Sequence, residues 1–555
     1  MSKSHDIADA IDGAQSLTDD DSLVDDPGET YPPDGEVIDW DLLRRCAAEP
    51  QNDIGNARRL RHRYGHDIIH IQAIDWFAWD GRRWAEDIDG RVSRPLCHRT
   101  AEAILHEPLV MGHTPEEQAA IDQAAVNAEA AERAKKALAS RRQKRRSFAV
   151  ASGNNGKMNG MLAEALAFLS HPVDRLDQDP LALNVGNGTL RFIVTEEDDP
   201  ECPDPDVTRT IRKVEMRRDS HNRLDMISKI ADVDHDPAAT CPVFDAFLAT
   251  ILPTPAVRRF VQRYLGYAIT GLTREQCFCI FHGAGRNGKS TLVDVVARLL
   301  GEYSTSLPIS TLIHNNHGGK GSEATPDLAR LPGARFVRTS EPREGLSLDE
   351  SLVKSMTGGE PIAVRRLQKE FIDIRPQFKL VISVNPLPRI SGTDDGIWRR
   401  VMLVPFEVQI DPEKVDKDLP AKLWAERSGI LNWLIAGLVD YLEKGLEPPA
   451  EVRAATEGYR DESDVLGQFV RSALTVTGRS YDAVEVGTLY QAFLVWCQRS
   501  SVTPLQKTTF NRRMPQAAQR HGIEKGKSSV VIYQGVEIRP EFAGQPSHTH
   551  DDMGG

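Results

Sequence analysis

Nine consecutive residues have the types and spacing of a phosphate-binding loop. They match the pattern G-x-x-x-x-G-K-[ST] and run Gly283-Ala284-Gly285-Arg286-Asn287-Gly288-Lys289-Ser290-Thr291. The glycines let successive backbone N–H groups point inward at a phosphate chain. Lys289 is expected to stand at the loop tip without a packing role and to reach the β- and γ-phosphates of ATP, while the Ser290 hydroxyl ligates Mg²⁺.

The flanking residues supply the elements that such a loop needs. Residues 277–281 form a short apolar run that is typical of a buried parallel strand. After the loop, apolar residues recur at helical spacing from Leu292 to Leu300, and Gly301 is placed to end that helix. The sequence therefore predicts a strand, a glycine-rich loop and a helix in that order. Cys277 and Cys279 lie on one face of the strand without a second pair, which favours core packing over zinc binding.

Hydrolysis of ATP requires further groups downstream, and candidates occur in the expected order. A carboxylate must order Mg²⁺ and the attacking water, a polar side chain must contact the γ-phosphate, and a cation must stabilise the transition state. Residues 334–341 read as a short strand ending in Glu341, with Glu344 nearby. Residues 379–385 read as a clearer strand ending in Asn385. Arg399 and Arg400 precede another apolar strand and supply the cation.

Composition indicates an ordinary globular chain of several domains. The chain has 555 residues, 40% of them hydrophobic, and a formal net charge of −13. Most of that charge lies in residues 1–40, which hold twelve acidic side chains and one lysine, so the near-neutral remainder is compatible with nucleic-acid binding. The scattered, odd-numbered cysteines indicate a reducing compartment, and the lack of a long apolar run predicts a cytoplasmic protein without a membrane segment.

Two regions before the loop carry signals whose meaning the sequence leaves open. Residues 76–84 predict a β-hairpin with Asp80-Gly81 at its turn, whose tryptophans either stack on bases or form a small core. Thr114 and Pro115 predict the start of an alanine-rich helix that ends in eight bases. These bases either contact nucleic acid or are a solvated helix end: Arg133, Lys135, Lys136, Arg141, Arg142, Lys144, Arg145 and Arg146.

The run from the phosphate loop to Phe406 resembles the superfamily 3 helicase motor of phage, plasmid and poxvirus-type primase–helicases. The resemblance rests on residues 357–360 with Arg365, on Pro376 through Pro386 and on the arginine pair. Residues 52–84 and 179–190 resemble the region that precedes the motor in those proteins. The family implies a homo-hexameric ring that hydrolyses ATP between subunits and translocates on single-stranded and forked DNA. Because the chain has no room for a primase catalytic domain, priming would fall to a separate primase.

The resemblance also implies roles for individual residues. Glu341 becomes the Walker B carboxylate and Asn385 the sensor, while either Arg399 or Arg400 is the finger that reaches a neighbouring subunit's γ-phosphate. Residues 362–371 predict two strands around a polar turn, the hairpin that lines the channel in these ring helicases. Three bases there have the right charge to grip the DNA backbone: Arg365, Arg366 and Lys369.

These observations predict an α/β chain with a P-loop NTPase core of the AAA+-like, superfamily 3 type. An α+β region precedes this core, and three helices with a hairpin after residue 457 predict a winged-helix-like domain. The expected segments are a disordered acidic tail (1–37), an α+β domain (38–113), a basic helical linker (114–147), the second pre-motor part (148–250), the motor (251–456), the winged-helix-like domain (457–540) and a tail (541–555).

Three functions fit the motifs to different degrees. A translocating helicase accounts for the loop, the sensor strand, the hairpin and the arginine pair together. An ATP-dependent switch that binds an origin or acts as an initiator without processive unwinding remains an alternative. A small-molecule kinase would use the phosphate loop but would leave the other motifs unexplained.

Overall fold

A computed structural model describes residues 38–199, 210–313, 327–339, 347–365, 371–390, 392, 395–527 and 530–543. The architecture is mixed α/β, and it divides into two compact units. The first holds residues 38–70 and 87–170, and the second holds residues 71–86 and the chain from 171 onward. The predicted acidic tail (1–37) and residues 544–555 lie outside the described residues. Within the described part of the chain, no helix is long and apolar enough to cross a membrane.

The first unit is largely helical. Its helices are α1 (Trp40–Ala47), α2 (Asp53–Tyr64), α3 (Ser93–Ala103), α4 (Pro115–Asp122), α5 (Ala128–Ser152) and α6 (Asn155–Leu169), with a 3-10 stretch at Ile104–Val110. Two short strands, β1 (Ile68–Ile71) and β4 (Ser170–His171), lie at the ends of its segments. The Asn52 side chain begins α2 by accepting a hydrogen bond from the Gly55 amide, as expected of an N-cap.

The predicted helix after Thr114 is two helices rather than one. A helix starts after Thr114 as predicted, and Thr114 and Glu117 form a capping box there. However, α4 ends at Asp122, and α5 starts only after Asn127, whose side chain caps it by accepting a hydrogen bond from the Ala130 amide. The helix α5 then runs on to Ser152, so the expected linker boundary at residue 147 falls inside it.

Several bases of the predicted basic cluster are used inside the first unit. Arg145 is 6% exposed and pairs with Glu107, which is fully buried and also bonds Arg59 Nε at 2.8 Å. Arg141 pairs with Glu117, and Arg142 donates to a backbone carbonyl. A buried carboxylate is stable only when it is paired and hydrogen-bonded, so these arginines hold the helix in place. The other five bases are exposed, so nucleic-acid contact and a solvated helix end both remain open for them: Arg133, Lys135, Lys136, Lys144 and Arg146.

The second unit contains the predicted motor and C-terminal regions. Its helices are α7 (Pro242–Ile251), α8 (Pro255–Tyr267), α9 (Lys289–Leu300), α10 (Glu350–Gly358), α11 (Asp395–Trp398), α12 (Leu419–Ala425), α13 (Arg427–Lys444), α14 (Ala450–Ser463), α15 (Val465–Ala473), α16 (Val486–Arg499) and α17 (Lys507–Arg520). Its strands are β2 (Trp76–Trp79), β3 (Trp84–Glu86), β5 (Ala182–Val185), β6 (Gly188–Asp198), β7 (Thr210–Asp219), β8 (Phe278–His282), β9 (Ser304–Leu307), β10 (Phe336–Thr339), β11 (Ile362–Arg365), β12 (Phe371–Ile374), β13 (Lys379–Val384), β14 (Val401–Pro405), β15 (Leu474–Val476), β16 (Ala483–Glu485), β17 (Glu524–Lys527), β18 (Val531–Gln534) and β19 (Val536–Ile538).

The hairpin at residues 76–84 forms as predicted, and its aromatic residues belong to a core. Strands β2 and β3 pair antiparallel, and Gly81 has a positive φ of 92° at the turn. Trp84 is 3% exposed, and its indole Nε1 donates to the Arg223 carbonyl at 2.9 Å. Of the two readings of this hairpin, the structure favours core packing over base stacking for Trp84.

A five-stranded parallel sheet positions the phosphate loop. Its strand order is β14-β8-β13-β10-β9, and each neighbouring pair runs parallel. Strand β8 is apolar and buried because helices cover the sheet, as the short apolar run indicates. The order brings the carboxyl ends of β8, β13 and β10 to one edge. Lys289 and Asn385, which follow β8 and β13, meet there although they are 96 positions apart in the sequence.

Helices α8 and α13 meet through glycines beside this sheet. A Cβ on Gly266 would lie 2.3 Å from the Leu438 backbone nitrogen, and one on Gly437 would lie 2.2 Å from the Gln262 carbonyl oxygen. Only glycine permits this approach of two helix backbones. The same two helices are joined by Asp440, which accepts hydrogen bonds of 2.8 Å from Arg259 and also bonds Arg263 and Lys444.

The C-terminal region has the predicted three helices and hairpin. Helices α15, α16 and α17 share a hydrophobic core that includes Phe469, Phe493 and Phe510. Strands β17 and β18 form an antiparallel hairpin, β16 joins β18, and β15 pairs with β19. Five bases are exposed on α17 and on this hairpin: Lys507, Arg512, Arg520, Lys525 and Lys527.

Candidate functional site

The loop at residues 283–288 connects β8 directly to α9, as the sequence predicts. Gly288 has a φ of 78°, and a Cβ there would lie 2.5 Å from the Ile251 side chain, so the position requires glycine. Gly283 is equally restricted, because a Cβ would lie 2.3 Å from the Phe406 carbonyl oxygen. The loop is therefore shaped both by its own glycines and by the chain that leaves β14.

Lys289 lies inside the loop rather than at an exposed tip. It is 3% exposed, and its Nζ donates to the Gly283 carbonyl at 2.8 Å, to Asn287 Oδ1 at 3.0 Å and to Asn385 Oδ1 at 3.2 Å. The expectation that Lys289 has no packing role is wrong, because a buried ammonium must be hydrogen-bonded on all sides. The structure brings together Lys289 and Asn385, which follow the neighbouring strands β8 and β13.

The other loop residues differ in the exposure of their side chains. Asn287 is 3% exposed, and its amide donates to the Phe406 carbonyl at 3.4 Å while its Oδ1 accepts from Lys289. Its side chain thus orients the lysine from within. Ala284, Arg286 and Ser290 are exposed. The Ser290 hydroxyl lies in the first turn of α9, where its oxygen could serve as a ligand of a divalent cation.

His282 is a residue of the site that the sequence analysis missed. It is the last residue of β8 and is half-buried beside the loop. Burial lowers the pKa of its imidazole below the ordinary value, and the charge of Lys289 lowers it too. A hydrogen bond with the Asn385 backbone and the charge of Glu462 act in the opposite direction. The only available signal was its position immediately before the first glycine.

The two arginines of the predicted pair have different environments. Arg400 is 8% exposed, and its Nη1 donates to the Gln276 carbonyl at 3.1 Å and to Gln276 Oε1 at 3.2 Å. Burial lowers the pKa of its guanidinium, and the charge of Arg399 contributes to this. Arg399 is exposed, and no carboxylate among the described residues pairs with it. The sequence could not distinguish the two, whereas their surroundings do.

The predicted hairpin after Glu360 is present, with part of its turn outside the described residues. Strands β11 and β12 pair antiparallel, with Arg365 opposite Phe371. The Arg365 guanidinium carbon lies 5.1 Å from the centre of the Phe371 ring. Arg366 and Lys369 follow β11 in the sequence and lie outside the described residues, as do Glu341 and Glu344. Strand β10 ends at Thr339 and pairs in register with Ile382 of β13.

Metal binding by cysteine or histidine finds no support in the described ranges. No group of three or more histidine, cysteine or acidic residues there has the geometry to hold a metal ion. Cys277 and Cys279 are free thiols that are 5% and 0% exposed. Burial raises the pKa of Cys277 to about 12, which keeps this thiol protonated. Both cysteines pack in the core, as the sequence indicated.

Comparison with known proteins places two family regions on this chain. The profile described as "D5 N terminal like" matches residues 57–253, and that of a family of unknown function, DUF5906, matches residues 281–400. The second match begins within β8 and ends at Arg400, so it contains the phosphate loop, Asn385 and the arginine pair. The apo structure of the NrS-1 C-terminal region aligns at 15% identity and a TM-score of 0.37, over 55% of this chain and 78% of that one.

Relatives with names come from large DNA viruses. A putative helicase of Acanthamoeba polyphaga mimivirus is 30% identical over 48% of this chain and 29% of its own length. A putative helicase of Frog virus 3 is 24% identical over 84% of this chain and 56% of its own length. A putative primase of African swine fever virus is 23% identical over 58% and 34%. The chain thus spans about half or less of the length of these relatives. Its resemblance to the phage, plasmid and poxvirus-type primase–helicase family, inferred from the motifs, is confirmed.

Proposed function

We propose that the chain is the ATP-hydrolysing motor of a DNA-replication helicase, with a P-loop NTPase core of the superfamily 3 type. The observation that carries this proposal is the meeting of Lys289 with Asn385 at 3.2 Å, at the mouth of a glycine loop that opens a helix. An ammonium group, inward-facing backbone amides and a helix N-terminus together bind a polyphosphate. Relatives named as helicases and primases of large DNA viruses support a role in replication.

Each residue of the site has one task in this reaction. Lys289 turns from its present partners and donates to the β- and γ-phosphate oxygens. Asn287 keeps the Lys289 side chain extended through its Oδ1. Asn385 contacts the γ-phosphate or the attacking water through its amide. Ser290 and Glu341 would hold Mg²⁺, which neutralises charge on the phosphate oxygens. Water attacks the γ-phosphorus, the bond to the β-phosphate oxygen breaks, and ADP and phosphate are released.

Arg399 is the better candidate for the arginine finger. A finger must reach a phosphate from the side that its own subunit leaves open, so it must be exposed and not already committed. Arg399 is exposed and has no carboxylate partner among the residues that the structure describes, whereas Arg400 is bound to Gln276. We therefore propose that Arg399 acts on the site of a neighbouring subunit in a homo-hexameric ring.

The hairpin of β11 and β12 is the proposed grip on single-stranded DNA. Arg365 is the last residue of β11, and Arg366 and Lys369 follow it in the sequence before β12 begins. Basic side chains bind backbone phosphates, and phosphate contacts do not depend on the base sequence. The variant Arg365→Ala/Lys369→Ala is therefore expected to weaken binding uniformly across sequences and to lower its salt dependence.

Arg375 offers a matched control for this variant. It is exposed and basic but follows β12 at the base of the hairpin rather than at its turn. The variant Arg375→Ala should leave the slope of affinity against salt concentration unchanged when binding to labelled oligonucleotides is measured by anisotropy. Equal slopes for both variants would remove the hairpin from the DNA-binding surface.

The proposed function is tested by coupling hydrolysis to strand displacement. The parent protein should show ATP hydrolysis that single-stranded DNA stimulates, and it should separate forks with a 3′ or a 5′ tail. Hydrolysis without strand displacement would favour the origin-binding or initiator switch. Hydrolysis that DNA leaves unaffected, together with phosphate transfer to a small molecule, would contradict both and favour a kinase.

A further inference from the structure

The helix α14 covers the exposed edge of the central sheet. Strand β14 is the outermost strand on its side, so backbone groups of this strand face away from the sheet. The Leu403 amide donates to Thr456 Oγ1 at 3.0 Å, and this hydroxyl donates onward to the Val452 carbonyl at 2.8 Å. The helix is thus fixed to the strand that connects Arg399 to the phosphate loop.

The same helix holds the loop that follows Asn385. The hydroxyl of Tyr459 in α14 donates to the Pro388 carbonyl, three residues after Asn385. Tyr459 is 4% exposed. A buried hydroxyl bonded to a carbonyl fixes the distance between the helix and the loop, because breaking the bond would leave two buried polar groups without a partner.

The ring of Tyr459 also contacts the residue before Arg399. Its centre lies 5.2 Å from that of Trp398, and the two ring planes are at 78°. Trp398 is 4% exposed, and its indole Nε1 donates to the Gly392 carbonyl at 2.8 Å. Edge-to-face packing of this kind adds to the stability that burial provides. One side chain of α14 therefore touches both of the segments that carry Asn385 and Arg399.

We propose that Tyr459 is a positioning residue that fixes Asn385 and Arg399 relative to each other, and that α14 transmits movements of the C-terminal region at residues 465–543 to them. The proposal rests on the proposed function only for its catalytic consequence. In a ring, Asn385 serves the subunit's own site and Arg399 the neighbouring one, so Tyr459 links the geometry of two sites.

The junction between α14 and the C-terminal region is suited to such transmission. A single residue, Asp464, separates α14 from α15, and its side chain accepts from the Gly467 amide at 2.9 Å. Gln468 Nε2 donates back to the Asp461 and Glu462 carbonyls of α14 at 2.9 and 3.1 Å. Arg520 of α17 bonds Asp464 Oδ2 at 3.3 Å. Because these hydrogen bonds join the end of α14 to the start of α15, we expect the two helices to move together.

The test replaces one hydroxyl and measures both backbone exchange and hydrolysis in the full-length protein. Tyr459→Phe keeps the ring against Trp398 and removes the bond to Pro388. Tyr490→Phe is the matched control, since Tyr490 donates to the Leu505 carbonyl at 3.0 Å within the C-terminal region. Hydrogen–deuterium exchange should rise in peptides covering 385–390 and 395–400 for Tyr459→Phe alone. The kcat for ATP should fall about three- to tenfold, the cost of one hydrogen bond, with nucleotide Kd within about twofold of the parent.

Each outcome bears on a separate part of the proposal. Unchanged exchange in those peptides would overturn the positioning role, whatever the ATPase result. A parent protein that hydrolyses no ATP would overturn the proposed function, while the exchange measurement would still decide the role of Tyr459. If Tyr459→Phe lowers kcat, nucleotide affinity and Tm together, Tyr459 contributes to general stability and does not position Asn385 and Arg399. For the junction, Gln468→Ala should raise exchange in the same peptides, and no rise would remove the link to the C-terminal region.

Discussion

Separate replacement of Arg399 and Arg400 should affect different properties, ATP hydrolysis for Arg399 and stability for Arg400. Arg399 is exposed, so Arg399→Ala should change the free energy of unfolding by less than about 0.5 kcal/mol. If Arg399 is the finger, ATP hydrolysis should fall by about 10³–10⁵. The expected result is an inactive protein with the Tm of the parent.

Arg400→Ala should have the opposite effect. Arg400 is 8% exposed and donates to both oxygens of Gln276, so its loss removes two hydrogen bonds from half-buried acceptors. Hydrogen bonds to charged groups are worth about 1.5–3 kcal/mol, so the unfolding free energy should fall by about 2–3 kcal/mol. For a domain of this size, that lowers Tm by about 4–12 °C. Well below its Tm, the variant should keep most of its hydrolysis.

Differential scanning fluorimetry and a coupled ATPase assay measure both quantities. Mixing then tests whether the finger acts between subunits. Arg399→Ala protein has an intact site without a finger, and Lys289→Ala protein has a finger without a working site, so mixed rings should recover part of the hydrolysis. The reasoning is refuted if Arg400→Ala is inactive at an unchanged Tm while Arg399→Ala remains active. A mixture that stays inactive, although the subunits exchange, would instead mean that the arginine acts within its own subunit.

Other predictions concern the nucleotide site and the helices behind it. Lys289→Ala should abolish hydrolysis and also lower Tm, because three hydrogen bonds inside the loop are lost; normal ATPase rates would contradict the loop assignment. Glu341→Gln should bind ATP but hydrolyse it poorly, as measured by nucleotide affinity and by single-turnover rates. Hydrogen bonds, above all those from Arg259, hold the pKa of the Asp440 carboxyl below its ordinary value. The ionised carboxylate therefore stabilises the fold above pH about 3.9. This stabilisation is lost progressively as the pH falls below that value. The Tm difference between the parent and Asp440→Asn should therefore be constant from neutral pH to about 5 and should shrink below about 4; a difference that grows in acid would refute this.

The sequence was sufficient to predict the parts of the site that depend on local spacing. The phosphate loop needs only nine adjacent residues, and Asn385 follows a strand whose apolar run is plain. Parallel strands place their carboxyl ends at one edge, so the proximity of Asn385 to the loop followed from the motif order. The hairpin of β11 and β12 was predictable for the same reason, since both strands and the turn are contiguous.

Features that depend on distant partners could not be predicted in this way. The burial of Arg400 is decided by Gln276, which lies 124 positions earlier in the chain. From the sequence, Arg145 is indistinguishable from the exposed bases around it, because its partner Glu107 lies 38 positions earlier in the chain. The role of Tyr459 rests on a carbonyl 71 positions away, and no pattern within α14 marks it. Sequence spacing describes a helix face but not what a neighbouring element presents to it.

The order of strands in the central sheet also constrains how the loop can form during synthesis. Strand β8 pairs along its length with β14, and the Phe406 amide donates to the His282 carbonyl at 2.7 Å. The Phe406 carbonyl in turn receives the Asn287 amide. Pairings between strands so far apart in sequence are slow, because the loop between them must close first. A ribosome-bound chain that ends before residue 406 therefore lacks the strand that completes the loop. If the loop binds nucleotide as proposed, binding becomes possible only after residue 406 has emerged, so the folding of the sheet precedes any use of ATP.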